Sequence, residues 1–396
     1  MKTETFKMVA KTFTGLENVL AAELTQLGAQ KVQPVKRAVS FEGDQRLLYK
    51  TNLWSRSALS ILKPVFEFDF NSQEEYYDIL RSFAWDQIFH PSRSFAISTV
   101  AIESVFNNTH FLAQRTKDAI VDFFRDTANA RPSVDVSNPD IKFNVYIFKQ
   151  HCSVSLDSSG MPLFKRGYRK QTGPAPLNEV LAAGLIMLTG WDKQKPFYDP
   201  MCGSATFSIE AAMMALDMAP AAFRKDFSFL NWTDFNEPLW EELRLQANQI
   251  PQPSTFPDIL ASDINNKSMA VARQNIMEAG LLGRIRLEKR DFLLSRASHP
   301  QGVLVLNPPY GVRLENENIH EFYQKIGTSF KHNYPGFDAW IISPDKTLTH
   351  KIGLKPSEKH QVFNGQLDCT FLGYKIYSGS KKESKPQRPR LKPGLT

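Results

Sequence analysis

Asn307-Pro308-Pro309-Tyr310 is the stretch whose residue types point most directly to chemistry. Two consecutive prolines remove two backbone donors and fix two φ angles, so the segment cannot continue a strand ladder. The Asn307 side-chain oxygen and the Pro308 carbonyl can then face one N–H2 group together. Tyr310 offers a ring face on which a nucleobase can stack. Such a set would hold a flat, amine-bearing ring beside an electrophile. The bland alternative is an ordinary Asn-Pro turn.

Three further strand-like segments end at an acid. Phe197-Tyr198-Asp199 runs into Pro200-Met201-Cys202-Gly203-Ser204-Ala205, a tight loop in which Gly203 lets the backbone approach a ligand. Asp199 can accept from a cationic amine; a plain helix start capped by Ser204 is the other reading. Ile259 to Asp263 ends in an acid suited to both hydroxyls of a ribose, or to capping the next helix. Arg290-Asp291-Phe292 follows; Asp291 could accept from an adenine amine with Phe292 against the ring, or serve a cap or loop. No GxGxxG and no GxxxxGK[ST] is present, so a pyrophosphate cradle is not indicated. The loop suits a nucleoside with an amino-acid tail better than a dinucleotide.

The elements that must hold these residues alternate. Strand-like runs end at Asp199, Asp263, Asp291, Asn307 and Asp345, with helical patterns at 205–216, 267–279 and 317–332. That order predicts a doubly wound α/β sheet, whose ligands sit at the strands' carboxyl ends. Asn364-Gly365 reads as a hairpin turn joining antiparallel edge strands. Upstream the pattern is α+β. Strands are expected over Thr5 to Phe13, Lys36 to Phe41 and Phe95 to Ile102, and through Phe143-Val145-Ile147 and Cys152-Val154-Leu156. A helix with a Leu16, Leu20, Leu24, Leu27 stripe is expected to start in a Thr14 to Glu17 capping box; another is capped at Ser72; a third covers 110–128.

Composition sets the outer bounds. The 396 residues allow two or three domains, and 29 Phe supply a large core. The net charge of +7 leans toward an anionic partner. No run approaches a membrane span, and Met1-Lys2-Thr3-Glu4 leads into no apolar signal. Three scattered Cys and eight scattered His show no metal-ligand spacing. A cytoplasmic, metal-free protein is the expectation.

Taken in order, Gly167-Tyr168-Arg169-Lys170, Ala175-Pro176-Leu177-Asn178-Glu179, DPMCGS, the FxFxxW run from Phe227 to Trp232 and NPPYGVRL resemble the THUMP-domain class I S-adenosylmethionine-dependent RNA methyltransferases. The branch most similar is the one that makes N2-methylguanosine in bacterial large-subunit (23S) ribosomal RNA. The resemblance implies a Rossmann-like class I methyltransferase sheet behind an N-terminal ferredoxin-like/THUMP region. Implied boundaries are 1–50 for the ferredoxin-like part, 51–157 for THUMP, 165–379 for the methyltransferase domain and 380–396 for a basic disordered tail. It implies S-adenosylmethionine as cofactor, held by Asp199, Met201, Cys202, Gly203, Asp263, Ile264, Asp291, Phe292 and Asn178. Asn307, Pro308 and Tyr310 would form the catalytic set. RNA, 23S or a precursor, would meet Lys165, Arg166, Arg169, Lys170 and Arg313. Ala205 departs from the family's usual second glycine, and its methyl would stand near the cofactor's methionine end. Some relatives carry a second methyltransferase after the first; ending at 396, this chain implies one reaction.

Two other functions stay open. The tetrapeptide does not separate guanine N2 from adenine N6, so an adenine methyltransferase acting on DNA or RNA is the nearest alternative. A non-catalytic RNA-binding or ribosome assembly factor is the alternative of another class.

Overall fold

The computed structural model describes residues 4–169, 177–251, 253–309, 319–365 and 367–377. Up to Asp157 the order is β1 (Phe6–Lys11), α1 (Glu17–Leu27), β2 (Gln30–Val35), β3 (Ala38–Gly43), α2 (Gln45–Trp54), β4 (Ser60–Asp69), α3 (Gln73–Ser82), β5 (Phe95–Ile102), α4 (Thr109–Ala128), β6 (Ile141–Phe148) and β7 (His151–Asp157). Then come α5 (Glu179–Leu188), β8 (Phe197–Asp199), α6 (Thr206–Ala215), α7 (Glu237–Ala247), β9 (Ile259–Asp263), α8 (Asn266–Glu278), β10 (Arg286–Lys289), β11 (Gly302–Leu306), α9 (Ile319–Asn333), β12 (Phe337–Ser343), α10 (Lys346–Lys351), β13 (Glu358–Asn364) and β14 (Leu367–Lys375).

Two compact units result. The first carries one seven-stranded sheet in the order β2-β3-β1-β4-β7-β6-β5, so β1 to β3 and β5 to β7 share a continuous ladder through β4. Only β5 and β6 run parallel, joined through α4. Alternation explains the packing: Phe143, Val145 and Ile147 are fully buried, as is Cys152 on β7. Ser72 caps α3 by accepting from Glu75 N at 3.1 Å. Tyr76 Oη meets Thr116 Oγ1 at 2.6 Å and ties α3 to α4.

One expectation fails here. The capping box at Thr14 does not form, because the Glu17 carboxylate accepts instead from Gly15 N (2.7 Å) and Arg37 N (3.0 Å), and α1 starts without a side-chain cap. Strand β2 was not foreseen. It is polar, contains Pro34, shifts register between Gln30 and Gln33 and lies at a sheet edge, so it shows no alternation.

The first unit also claims Met213–Ser254, which lies between β8 and β9 in the chain. Its Phe229 and Trp240 pack on Tyr49 with ring centroids 4.6 and 5.9 Å away. The backbone N of Asn236 donates to Tyr49 Oη at 3.0 Å, and Arg46 pairs with Glu242 through two bonds of 2.8 and 2.7 Å. Burying each such aromatic is worth roughly 1.5–3 kcal/mol. The FxFxxW run is therefore a core segment of the N-terminal unit.

The second unit is a seven-stranded sheet in the order β10-β9-β8-β11-β12-β14-β13. Strands β10, β9, β8, β11 and β12 are parallel; β14 and β13 return antiparallel. Gly365, at φ 64°, makes the turn between the last two. All five residues of β11 are buried, as both faces of a parallel sheet require. Because β8 is followed in sequence by β9 on one side and β11 lies on its other side, the strand order reverses between β8 and β11. Among the described residues no helix is long and apolar enough to cross a membrane, and no cluster of His, Cys, Asp and Glu is placed to hold a metal.

Candidate active site

The tips of β10, β9, β8 and β11 stand side by side and deliver Asp291, Asp263, Asp199 and Asn307. Their heights follow from the register. Asp199 is level with Ala261 of β9, so Asp263 stands two residues higher. Leu304 pairs with Tyr198, which makes Val305 level with Asp199 and sets Asn307 two residues higher as well. The short β8 thus leaves a notch at the switch point, walled by Asp263 and Asn307. Two inter-strand spacings make it roughly 10 Å wide.

Asp199 forms the floor and is 1 % exposed. Its Oδ2 accepts from Ser208 Oγ at 2.9 Å and from Ser208 N at 3.3 Å, in the first turn of α6. Burial pushes the carboxyl up to about 7; the Ser208 bonds pull down against it and nearby Asp263 adds to the rise. An opposite charge brought against this carboxyl would pull the value back down.

The loop after β8 is held by its own backbone. Cys202 N donates to Ser262 O (2.9 Å), Gly203 N to Asp263 Oδ2 (3.1 Å) and Ala205 N to Cys202 O (2.7 Å). Gly203 has φ 54°, and a Cβ built there would meet nothing within 4 Å, so this backbone faces open space. Ala205 is fully buried at φ 63°, a conformation that glycine adopts without the penalty alanine bears. Met201 is half-buried; burial first, then Asp199 and Asp263, pushes the Cys202 thiol up, which keeps it protonated.

Asp263 does not cap α8. Asn265 does, accepting from Lys267 N and Ser268 N, while Asp263 Oδ1 takes Asn265 N at 2.8 Å. Asp263 therefore clamps the two loops and keeps lone pairs for a ligand. Ile264 beside it is 63 % exposed, an apolar side chain left bare at a strand tip. Asp291 Oδ1 accepts from Leu293 N at 2.9 Å, closing its own loop. Phe292 is 3 % exposed and stacks on Tyr334 at 5.5 Å, so its ring is committed to the core and offers an adenine little surface.

Asn307 carries the most telling atom. Its Oδ1 is buried and accepts no hydrogen bond among the described residues. A buried acceptor left unmet costs about 1–3 kcal/mol, and a ligand donor would recover it. Pro308 is buried and Pro309 half-buried, and neither has an N–H to offer. Tyr310 lies outside the described residues, as do Arg313 and Lys170.

Among the described residues of the expected basic face, two turn inward. Arg166 is 1 % exposed and donates to the carbonyls of Ser55, Leu163 and Arg56. Arg169 pairs with buried Glu179 at 2.8 Å and donates to Leu177 O. Both are structural cations, since backbone carbonyls and a buried acid occupy their guanidinium groups. Lys165 alone of the described cluster is exposed. Asn178 caps α5 in the first unit, accepting from Val180 N and Leu181 N. Sequence reasoning missed Ser208 and Asn265. An Asn placed directly before a helical pattern was the available signal for the latter.

Residues 166–372, more than half of the chain, match the model of the RMKL-like methyltransferase domain. Residues 70–157 match the THUMP domain and 7–62 the RlmL ferredoxin-like domain. The chain is 39 % identical over 364 residues to a candidate RNA methyltransferase of Synechocystis sp., covering 92 % of this chain and 95 % of that protein. It is 36 % identical to the ribosomal RNA large subunit methyltransferase K/L of Methylococcus capsulatus, covering 91 % of this chain but only 50 % of that longer protein. Among solved structures, a candidate methyltransferase in complex with SAH superposes with TM-score 0.85 at 30 % identity, covering 96 % of this chain and 100 % of that one.

Proposed function

The chain belongs to the RMKL-like methyltransferase family, and on that premise we propose that it methylates N2 of a guanosine in 23S ribosomal RNA or a precursor. The observation that carries the amine reading is the unmet Asn307 Oδ1 beside the switch point. The large-subunit name of the Methylococcus relative and the THUMP match support ribosomal RNA as the substrate class. With a bacterial 23S ribosomal RNA as substrate, the reaction would take place in the cytoplasm. Residues 51–157 would bind that RNA, after a ferredoxin-like part at 1–50 and ahead of a catalytic domain from 165 to 379.

The residues at the notch fit S-adenosylmethionine. Asp199 would face its ammonium, the open backbone of Gly203 its methionine end, Asp263 its ribose hydroxyls, and Ile264 and Asp291 its adenine. When bound, it supplies an electrophilic methyl carbon. The rest is the chain's own work. An exocyclic amine is a poor nucleophile because its lone pair is delocalised into the ring. Asn307 Oδ1 and the Pro308 carbonyl would each accept one of its hydrogens and favour a pyramidal nitrogen. Tyr310 would stack on the base, which must leave any helix to be reached. Positioning and oriented dipoles then supply the acceleration, and the proton can leave after transfer.

The test offers the full chain a labelled methyl donor with a 23S fragment and with duplex DNA, followed by mass spectrometry of the nucleosides. N2-methylguanosine from RNA alone is expected. N6-methyladenosine would overturn the base assignment, label in DNA the substrate, and absence of transfer the enzymatic reading.

A further inference from the structure

The outward face of the first unit's sheet carries two cross-strand rows. One runs Val100–Tyr146–Ser153–Glu67 and the next Ile102–Phe148–His151–Asp69, across β5, β6, β7 and β4. On the opposite face, Phe143, Val145 and Ile147 are fully buried. On this face the lower part is closed: Asn144 and Ser155 are buried, and the 228–231 turn packs on β6, with Ser228 Oγ and Asn231 Nδ2 donating to Asp140 O. The upper part is bare. Tyr146 and Phe148 are each 42 % exposed, beside Val100 and Ile102 at 38 and 40 %.

We propose that Tyr146 and Phe148 form a stacking platform for two unpaired RNA bases, a binding site of the first unit separate from the catalytic notch. The proposal rests on the RNA reading above and names where on the chain that RNA would be gripped. Three observations favour single-stranded RNA as the occupant. The two side chains lie about 7 Å apart along one strand, giving successive nucleotides one ring each. Among the described residues neither ring stacks on another aromatic, and only the Lys149 ammonium is set over a ring face, that of Phe148. Lys149, in the turn after β6, sets its Nζ 5.4 Å from the Phe148 ring centroid and has no carboxylate partner among the described residues. A lone cation beside a base-sized ring is what a stacked nucleotide's phosphate requires. The acids at the far end of the rows are already neutralised or held: Glu67 by Lys7 at 3.2 Å and Asp69 by His151 at 2.8 Å. Val100 and Ile102 extend the apolar floor to the sheet edge at β5, where a base can overhang.

The test measures fluorescence anisotropy of the full chain with a single-stranded RNA of about ten nucleotides and with a duplex of equal length. Tyr146→Ala and Phe148→Ala should each weaken single-strand binding about tenfold, with little change on the duplex, an unchanged salt slope and an unchanged melting temperature. Tyr146→Phe should bind as wild type does, and Lys149→Ala should lower the salt slope by about one. The alanine variants should raise KM for the 23S fragment and leave kcat intact. Wild-type affinity in both alanine variants, or equal losses on single strand and duplex, overturns the platform. So does a variant that binds RNA normally but fails to retain ribosomal proteins, since the face would then receive protein. Failure of wild type to methylate any RNA refutes the proposed reaction and leaves the anisotropy result to judge the platform by itself.

Discussion

Lowering the pH from 8 to 6 should weaken the binding of S-adenosylhomocysteine about tenfold, and Asp199 should be the cause. In the ligand-free chain this carboxyl is buried and titrates near 7. An ammonium placed against it needs the ionised form. At pH 8 about nine-tenths of the molecules hold that form already; at pH 6 about one-tenth do, and binding must release a proton. The ratio is a factor of about ten, or about 1.4 kcal/mol. The sign for folding runs the other way. A carboxyl that rises from 3.8 unfolded to about 7 folded favours the ligand-free fold below pH 4, and that contribution is lost as pH rises through 7. The loss amounts to about 4 kcal/mol across the window. Calorimetry at pH 6, 7 and 8, in buffers of different ionisation enthalpy, reads both affinity and proton release. Methylthioadenosine lacks the ammonium and should bind with a flat pH profile, and Asp199→Asn should flatten the profile for S-adenosylhomocysteine. A pH-independent affinity in the wild type, or an equal slope for methylthioadenosine, would refute the placement of the ammonium.

Asn307→Ala should lower kcat by about 100-fold or more while leaving S-adenosylhomocysteine binding near normal, because it removes one oriented acceptor; single-turnover methyl transfer reads it directly. Asp263→Ala should weaken the cofactor in calorimetry and also loosen the loop, since it frees Gly203 N and Asn265 N. Arg166→Ala should lower the melting temperature and leave the salt dependence of RNA binding unchanged, because the side chain serves three backbone carbonyls whose loss costs about 1–3 kcal/mol each. Ala205→Gly should gain about 0.5–1 kcal/mol in urea unfolding by relieving the φ 63° alanine; a destabilised variant would show that its buried methyl matters more than its backbone.

The catalytic sheet was legible because β8, β9 and β11 are short apolar runs that lead directly to Asp199, Asp263 and Asn307. Helices expected at 205–216, 267–279 and 317–332 appear as Thr206–Ala215, Asn266–Glu278 and Ile319–Asn333. The Asn364-Gly365 hairpin likewise follows from local turn chemistry. What sequence could not show is where charge goes in three dimensions. Lys165-Arg166 and Arg169-Lys170 look like one basic stripe, yet Arg166 and Arg169 turn inward because buried carbonyls and Glu179 need donors. Phe292 follows an acid at a strand end, as an adenine contact would, but Tyr334 arrives from 42 residues downstream to take its ring. The FxFxxW run lies in sequence between two catalytic strands and packs with Tyr49, a partner no local pattern predicts. The edge strand β2 lacked alternation because neither of its faces is buried.

A structure of the full chain with S-adenosylhomocysteine and a short 23S fragment would test the central geometry most directly. The guanine N2 should lie about 3 Å from Asn307 Oδ1, at the reversal between β8 and β11, with the cofactor's ammonium on Asp199. Finding the base away from that tip, with the Asn307 oxygen still unmet or bonded to protein alone, would contradict it.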